Sequence, residues 1–322
     1  MMGAVQGENS RVERLGGELR TVLVERFAAR VRFGEPLSRH TSFRIGGPAD
    51  VWVEADTAEE LAALFGLARA SGEPVLTLGS GTNVLVSDRG VRGIVVHLGR
   101  GFQFADWRLS DDEGDEATVR AGAAVPFKKL VYDAVERGFE GLEFGEGIPG
   151  SLGGGLTMNA GAFGGEIGRI VERLEGVHAE GRVEALGRER LTFQYRRLDL
   201  PAGWVITAVC LRLRRGDAAA IGERVLNARD RRKKNQPLGF PNAGSIFKNP
   251  PGAHAGRLLD EAGVKGLARG DAQVSELHAN FIVNRGGAKA ADVRALMEEM
   301  GRRVEARSGI RLEPEVKLVG DW

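Results

Sequence analysis

Cysteine is almost absent from this sequence: Cys210 stands alone among 322 residues. A disulfide framework is therefore excluded, and the apolar run around Cys210 marks it as inert core. The five histidines are scattered, with no H-x-x-x-H spacing and no Cys/His cluster, so no metal is expected. Charge of one sign is missing too. Basic and acidic residues number 45 and 44, a net charge of +1, which offers no bulk field to nucleic acid or to a membrane surface. The one basic run, Arg229-Asp-Arg-Arg-Lys-Lys234, reads by default as the solvated end of a helix. No apolar stretch approaches the roughly 20 residues of a membrane-spanning helix. The N-terminus up to about Val31 is charged throughout and has no unbroken apolar core of the secretory kind. Val12, Leu15, Leu19, Val22, Leu23 and Phe27 instead fit a short amphipathic helix. These absences predict a cytoplasmic protein with neither nucleic acid nor membrane as partner; a monomer is expected.

Glycine is what the chain has in excess, with 47 in all. Eleven of them fall within the 28 residues from Gly141 to Gly168, GLEFGEGIPGSLGGGLTMNAGAFGGEIG. Glycine costs conformational entropy and packs nothing, so a dense run marks left-handed dihedrals or backbone held close to a ligand. Ile148, Pro149, Leu152, Met158 and Phe163 interrupt the run, which makes it ordered backbone rather than linker. A hub of tight turns in a β-rich domain is the plainer reading of the same residues. Gly145-Glu-Gly147-Ile-Pro-Gly150 satisfies the G-x-G-x-x-G spacing of dinucleotide folds, but that fingerprint needs a strand before it and a crossover helix behind. Here a short LEF precedes it, and Gly153 to Gly155 argue against a regular helix, so we reject the match.

The length is that of two or three domains, and an apolar content of 42% with 28% charged residues suits a sizeable core. Thr57 with Glu60 forms a capping box that opens a helix with Leu61, Leu64, Phe65 and Ala68 on one face, closed by Gly72 and Pro74. PVLTLG reads as a buried strand. Gly79-Ser-Gly-Thr-Asn83 is a turn into a second strand, with no helix after its glycines. Clustered backbone N–H groups in such a loop make an anion-binding concavity, to which Ser80, Thr82 and Asn83 add side-chain donors, although an ordinary hairpin turn explains the loop equally well. Residues 102 to 125 look β-like around a polar insert at Ser110–Glu116. Pro126 opens a helix whose Leu130, Val131, Ala134 and Val135 face inward. Strands follow around 169–178, 182–186, ERLTFQYR and WVITAVCLRLRR. Past a boundary near Arg215 come a helix at 218–234, the loop PLGFPNAGSIFKNPPG, a helix at 255–262, the strand ANFIVN, a helix at 290–307 and the strand RLEPEVKLVG.

Seven of these stretches together resemble one family, the bacterial UDP-N-acetylenolpyruvoylglucosamine reductases: TSFRIGGPAD, LGSGTNVLVSDRGVRGIVV, EGIPGSLGGGLTMNAGAFGGEI, TFQYR, PNAGSIFKNP, HANFIVN and LEPEVKLVG. They run in the family's order from Thr41 to Gly320. The resemblance implies an α+β fold: a two-lobed FAD-binding domain of the vanillyl-alcohol-oxidase type over 31–215, with lobes of about 31–100 and 101–215, then a smaller α/β substrate-binding domain over 216–322. It implies FAD held by Gly79, Ser80, Gly81, Thr82 and Asn83 and by Gly147, Ile148, Pro149, Gly150, Ser151, Gly153, Asn159 and Gly161. Neither segment has a histidine or cysteine for a covalent flavin link. The implied reaction is reduction of the enolpyruvyl double bond of UDP-GlcNAc-enolpyruvate to UDP-N-acetylmuramate, with NADPH as electron donor.

Carried over by motif, Arg196 of TFQYR and Glu315 of LEPEV would polarise the substrate carboxylate and stabilise the enolate, and Ser245 would donate the proton. Asn249 would orient Ser245, Tyr195 would contact the substrate, and Arg229 with Lys233 or Lys234 would hold the UDP diphosphate. Without the resemblance, Arg196 is a surface charge, Ser245 a helix cap and Glu315 a solvent-facing side chain. Two features depart from the pattern. Arg197-Leu198 follow the arginine where family members commonly carry a polar residue. With only Tyr132 and Tyr195 in the chain, the tyrosine-bearing insertion of one subclass is missing, so the sequence is similar to the shorter, second subclass. An FAD oxidase of the same binding fold would leave the Ser245 and Glu315 motifs unexplained, and a colourless nucleotide-sugar-binding regulator would leave the glycine run unexplained.

Overall fold

The computed structural model describes residues 16–109 and 115–322. Val12, Leu15 and most of the polar insert expected at 110–116 lie outside the described residues. The chain forms two compact units, each assembled from separated stretches. The first holds residues up to Arg32, Trp52–Gly79 and Gly93–Arg231; the second holds Phe33–Val51, Ser80–Arg92 and Arg232–Trp322. The expected boundary near Arg215 lies inside the first unit.

In the first unit, the helix Gly17–Phe27 buries Leu19, Leu23 and Phe27. The capping box at Thr57 forms in half. The Glu60 N–H donates to Thr57 Oγ1 at 3.2 Å and opens the helix Ala58–Ser71, which closes on left-handed Gly72. The Glu60 carboxylate instead takes the Asp56 N–H and the Arg30 guanidinium, at 2.8 and 2.6 Å. That ion pair holds the Glu60 carboxyl below the usual carboxylate range. Val75–Thr77 pairs in parallel with Val91–Leu98. A larger sheet is antiparallel throughout, in the order Val183–Gly187, Val171–His178, Trp204–Arg215, Glu116–Gly122, Ala105–Leu109. Trp204–Arg215 lies at its centre and is apolar along most of its length because both of its faces are covered; Cys210 is buried there. The helix Phe127–Glu136 follows Pro126 and buries Phe127, Leu130, Val131 and Ala134. An antiparallel sheet cannot host a dinucleotide crossover, which agrees with rejecting the fingerprint.

Two local expectations fail here. The glycines at 153–155 do lie in a helix, Leu152–Thr157, because Ser151 caps it and Leu152 and Leu156 are buried. The strand expected through ERLTFQYR is short, Thr192–Gln194, and turns back at Tyr195-Arg196 into Arg197–Asp199.

The second unit is built on one apolar cluster. The helix Ala290–Ser308 buries Val293, Leu296, Met297, Met300 and Val304 at helical spacing. It packs near the three-stranded sheet Ala268–Arg269, Ala272–Val274, Ile282–Asn284. Its first N–H groups are capped from far along the chain: those of Ala290 and Ala291 donate to the Asp88 carboxylate at 2.8 and 3.0 Å. The strand expected at RLEPEVKLVG is short, Lys317–Val319, and runs parallel to Val84–Val86. Among the described residues, no helix is long and apolar enough to cross a membrane, and no cluster of three metal-ligating side chains occurs.

Candidate flavin and substrate site

The glycine belt of the first unit lies on the segment Ala123–Phe127. The N–H groups of Leu152 and Gly153 donate to the carbonyls of Val125 and Ala123, and the Phe127 N–H donates to that of Gly150, at 2.8 to 2.9 Å. Side chains would break this seam. A Cβ on Gly153 would come within 3.0 Å of the Ala123 Cβ, and one on Gly145 within 2.8 Å of Val131. Gly147 and Gly150 have φ values of 70° and 118°, conformations that L side chains rarely adopt. Ile148 and Pro149 sit between them, and the Ile148 N–H donates to the Gly145 carbonyl. Gly79, the last residue of its stretch, faces the same place, since a Cβ on it would come 2.8 Å from Ser151 Oγ.

Glu146 is a belt residue that the sequence did not single out. It is 1% exposed, and its Oε2 has no hydrogen-bond partner among the described residues. Tyr132 lies against it. Burial first, and then the Glu146 charge, push the Tyr132 hydroxyl above its ordinary pKa, while Arg229 pulls the other way. Arg229 is thus placed beside the Tyr132–Glu146 pair.

Farther along, Asn159 has a left-handed backbone (φ 41°) and is 1% exposed. Its Nδ2 donates to the Gln194 carbonyl at 2.9 Å, and its Oδ1 accepts from the Gly168 N–H at 3.0 Å. Gln194 and Arg197 close a hairpin whose two turn residues are Tyr195 and Arg196. Arg196 also has a positive φ, 58°. Its Nη1 donates to the Gly161 carbonyl at 3.1 Å, and its guanidinium lies 5.0 Å from the centre of the exposed Tyr195 ring. Leu198 is buried, so the position where a polar neighbour was expected is an apolar anchor for the hairpin. A groove of about 520 Å³ opens nearby, lined by Phe144, Phe163, Arg169, Arg224 and Arg231 among others. Phe163 is half exposed beneath the Arg231 guanidinium.

The second unit carries Ser80 to Asn83, Ser245, Asn249 and Glu315. Gly81 presses on the chain at His40, whose carbonyl a Cβ would overlap, and its own carbonyl accepts from the Ser42 N–H at 3.0 Å. Asn83 Nδ2 donates to the Glu315 carbonyl at 3.2 Å, and the Asn83 carbonyl accepts from the Lys317 N–H at 3.0 Å. Glu315 in turn donates its N–H to the Ile246 carbonyl at 2.8 Å, and Phe247 bridges Pro314. This chain of bonds brings the Thr82-Asn83 turn, Ser245 and Glu315 onto neighbouring segments. Ser245 and Glu315 are both half-buried.

Asn280 holds the stretch that follows Ser245. It is buried, accepts the Phe247 N–H and donates to the Phe247 carbonyl, at 2.9 and 2.8 Å, while the Ile246 N–H donates to its carbonyl. The motif HANFIVN contained this residue without showing its partner. Asn249, expected to orient Ser245, accepts the Ala255 N–H at 2.9 Å, at the start of the helix Ala255–Glu261. Lys233 and Lys234 are exposed in the last turn of the helix Ala218–Asn235, where their charge also complements the helix dipole.

Residues 49–187 match the model of an FAD binding domain, and residues 236–319 match that of the UDP-N-acetylenolpyruvoylglucosamine reductase C-terminal domain. UDP-N-acetylenolpyruvoylglucosamine reductase 2 of Symbiobacterium thermophilum is 48% identical over 303 residues, 94% of this chain and 96% of its own. The chain belongs to the UDP-N-acetylenolpyruvoylglucosamine reductase family. The Heliobacterium modesticaldum reductase is 47% identical over 290 residues, covering 89% of this chain and 90% of its own. A crystal structure of the Thermus caldophilus reductase superposes with a TM-score of 0.77 at 39% identity, covering 90% of this chain and 98% of that one.

Proposed function

We propose that the chain reduces the enolpyruvyl double bond of UDP-N-acetyl-3-O-(1-carboxyvinyl)-glucosamine to give UDP-N-acetylmuramate for peptidoglycan synthesis, with non-covalent FAD as cofactor and NADPH as electron donor. The observation that carries this reading is the direct backbone link between the Ser245 and Glu315 segments, at Glu315 N to Ile246 O. It puts a hydroxyl and a carboxylate, the two groups the second step calls for, on adjoining backbone. The belt fits a flavin on its own terms: Gly147 and Gly150 keep side chains off its backbone, and Glu146 presents a buried acceptor oxygen without a partner among the described residues.

When bound and reduced by NADPH, FAD would supply hydride chemistry to the methylene carbon of the enol ether. Negative charge then develops at the neighbouring carbon and spreads into the carboxylate. Arg196 binds that carboxylate, its side chain steadied by the Gly161 carbonyl and the Tyr195 ring, so the positive charge is in place before the negative charge forms. Glu315 completes the polarisation of the carboxylate, and Ser245 Oγ gives its proton to the carbon next to it, forming the C–H bond of the lactyl ether. Asn280 keeps the Ser245 segment in register throughout. Ser80, Gly81, Thr82 and Asn83 serve the FAD pyrophosphate, and Arg229, Lys233 and Lys234 the UDP diphosphate.

The test uses the purified protein. It should be yellow, release intact FAD on acid precipitation, and consume NADPH only when the enolpyruvyl ether is added. A colourless protein that binds UDP sugars, or NADPH consumption driven by oxygen alone, would exclude this function.

A further inference from the structure

We propose that Asn159 is a positioning residue for Arg196, and that the belt from Asn159 to Gly168 docks the arginine-bearing hairpin. The inference rests on the proposed role of Arg196. Three contacts carry it. The Asn159 amide joins the Gln194 carbonyl, immediately before the turn, to the Gly168 N–H in the belt, at 2.9 and 3.0 Å. Gly168 has no room for a side chain, because a Cβ would lie 2.6 Å from the Phe193 ring of the same hairpin. The Gly161 carbonyl takes the Arg196 guanidinium itself.

The turn needs such a clamp. A non-glycine residue at φ 58° is held against its own preference, and such conformations persist where the surroundings over-determine them. Within the hairpin, a side-chain bond from Gln194 Nε2 to Asp199 Oδ2 at 2.9 Å crosses between its strands. Asn159 is suited to its own place, since asparagine tolerates the left-handed region better than other side chains. Its buried amide has a donor and an acceptor on one rigid plane, which fixes the distance from belt to turn. Loss of the amide would let Arg196 drift, and a shift of about 1 Å in a positioning group can cost on the order of 100-fold in rate.

The test is a double-mutant cycle on the flavin-loaded enzyme, with the two half-reactions read separately by stopped flow. Asn159→Gly keeps the left-handed backbone and removes both amide bonds. It should retain FAD and be reduced by NADPH within about threefold of the parent, while reoxidation by the enolpyruvyl ether slows about 10- to 100-fold. In an Arg196→Ala background the same change should add nothing further, because a residue acting through Arg196 has nothing left to position. Asn159→Asp keeps the acceptor for Gly168, guards against a folding failure of the glycine variant, and should fall between the two. Amide hydrogen exchange across Gln194–Leu198 should quicken in both variants. Loss of FAD, equal slowing of both half-reactions, or effects that multiply in the double variant would overturn the inference. A normal rate for Arg196→Ala alone would overturn the role of Arg196 first, and the single variant would show it.

Discussion

From Gly145 to Thr157 the belt lies on Ala123–Phe127, bonded backbone to backbone, and its capped helix rests on two buried leucines. From Asn159 to Gly168 it lies on the hairpin Thr192–Asp199, joined by an amide side chain, a guanidinium and a phenyl ring against bare backbone. The sequence is equally rich in glycine in both halves, but the causes differ. In the first half, Gly147 and Gly150 take left-handed dihedrals that side chains rarely adopt, while Gly145 and Gly153 press on Val131 and Ala123 of the segment beneath. In the second, glycine is needed for close approach of protein to protein: Gly161 to Gly165, Gly165 to Phe144, and Gly168 to Phe193. A dense glycine run therefore need not have one ligand along its whole length.

The comparison can be broken by sorting variants according to which half-reaction they damage. The largest effect should come from Ser245→Ala, outside the belt, which should slow reoxidation by the enol ether about 10²- to 10⁴-fold and leave flavin reduction intact. Equal slowing of both half-reactions in stopped flow would make Ser245 structural. Arg196→Lys, at the hairpin served by the second half, should cost about 10²- to 10³-fold in the same step, because an ammonium cannot bridge a carboxylate through two parallel bonds. A variant within about threefold of wild type would remove Arg196 from the site.

Gly150→Val belongs to the first half and should act on the cofactor. Forcing a β-branched residue to φ 118° costs about 1–3 kcal/mol, so FAD should bind about 10- to 100-fold more weakly, measured by ultrafiltration, with activity recovered in excess FAD. If Gly150→Val kept its FAD and lost only the enol-ether step, the two halves would not differ as described. Thr57→Ala should do least. It removes the helix cap to the Glu60 N–H, costs about 1 kcal/mol of stability, and should leave both half-reactions alone. Chemical denaturation with unchanged turnover would check it.

Much of this was legible in local residue patterns. The cap at Thr57, the Pro126 helix start, the apolar spacing of Ala290–Ser308 and the buried Trp204–Arg215 strand all follow from short-range chemistry. What was not legible depends on partners distant in the chain. Asp88 caps a helix that begins at Ala290, Asn280 fastens Phe247, and Lys317–Val319 finds Val84–Val86. No turn residue announces the break at Tyr195-Arg196, where Arg196 has a left-handed backbone and its side chain reaches the Gly161 carbonyl. The helix over Gly153–Gly155 escaped for a similar reason: burial of Leu152 and Leu156 outweighs weak helix propensity. Of the candidate site, the segments were readable from motifs; Glu146, Tyr132 and the twofold use of the Asn159 amide were not.

The central claim is that electrons pass from NADPH to the enol ether on this chain, and one anaerobic single turnover tests it. NADPH should bleach the flavin band of the purified enzyme, and one equivalent of UDP-N-acetyl-3-O-(1-carboxyvinyl)-glucosamine, with oxygen absent, should restore it and yield one equivalent of UDP-N-acetylmuramate. A band that stays bleached until air is admitted would contradict the account.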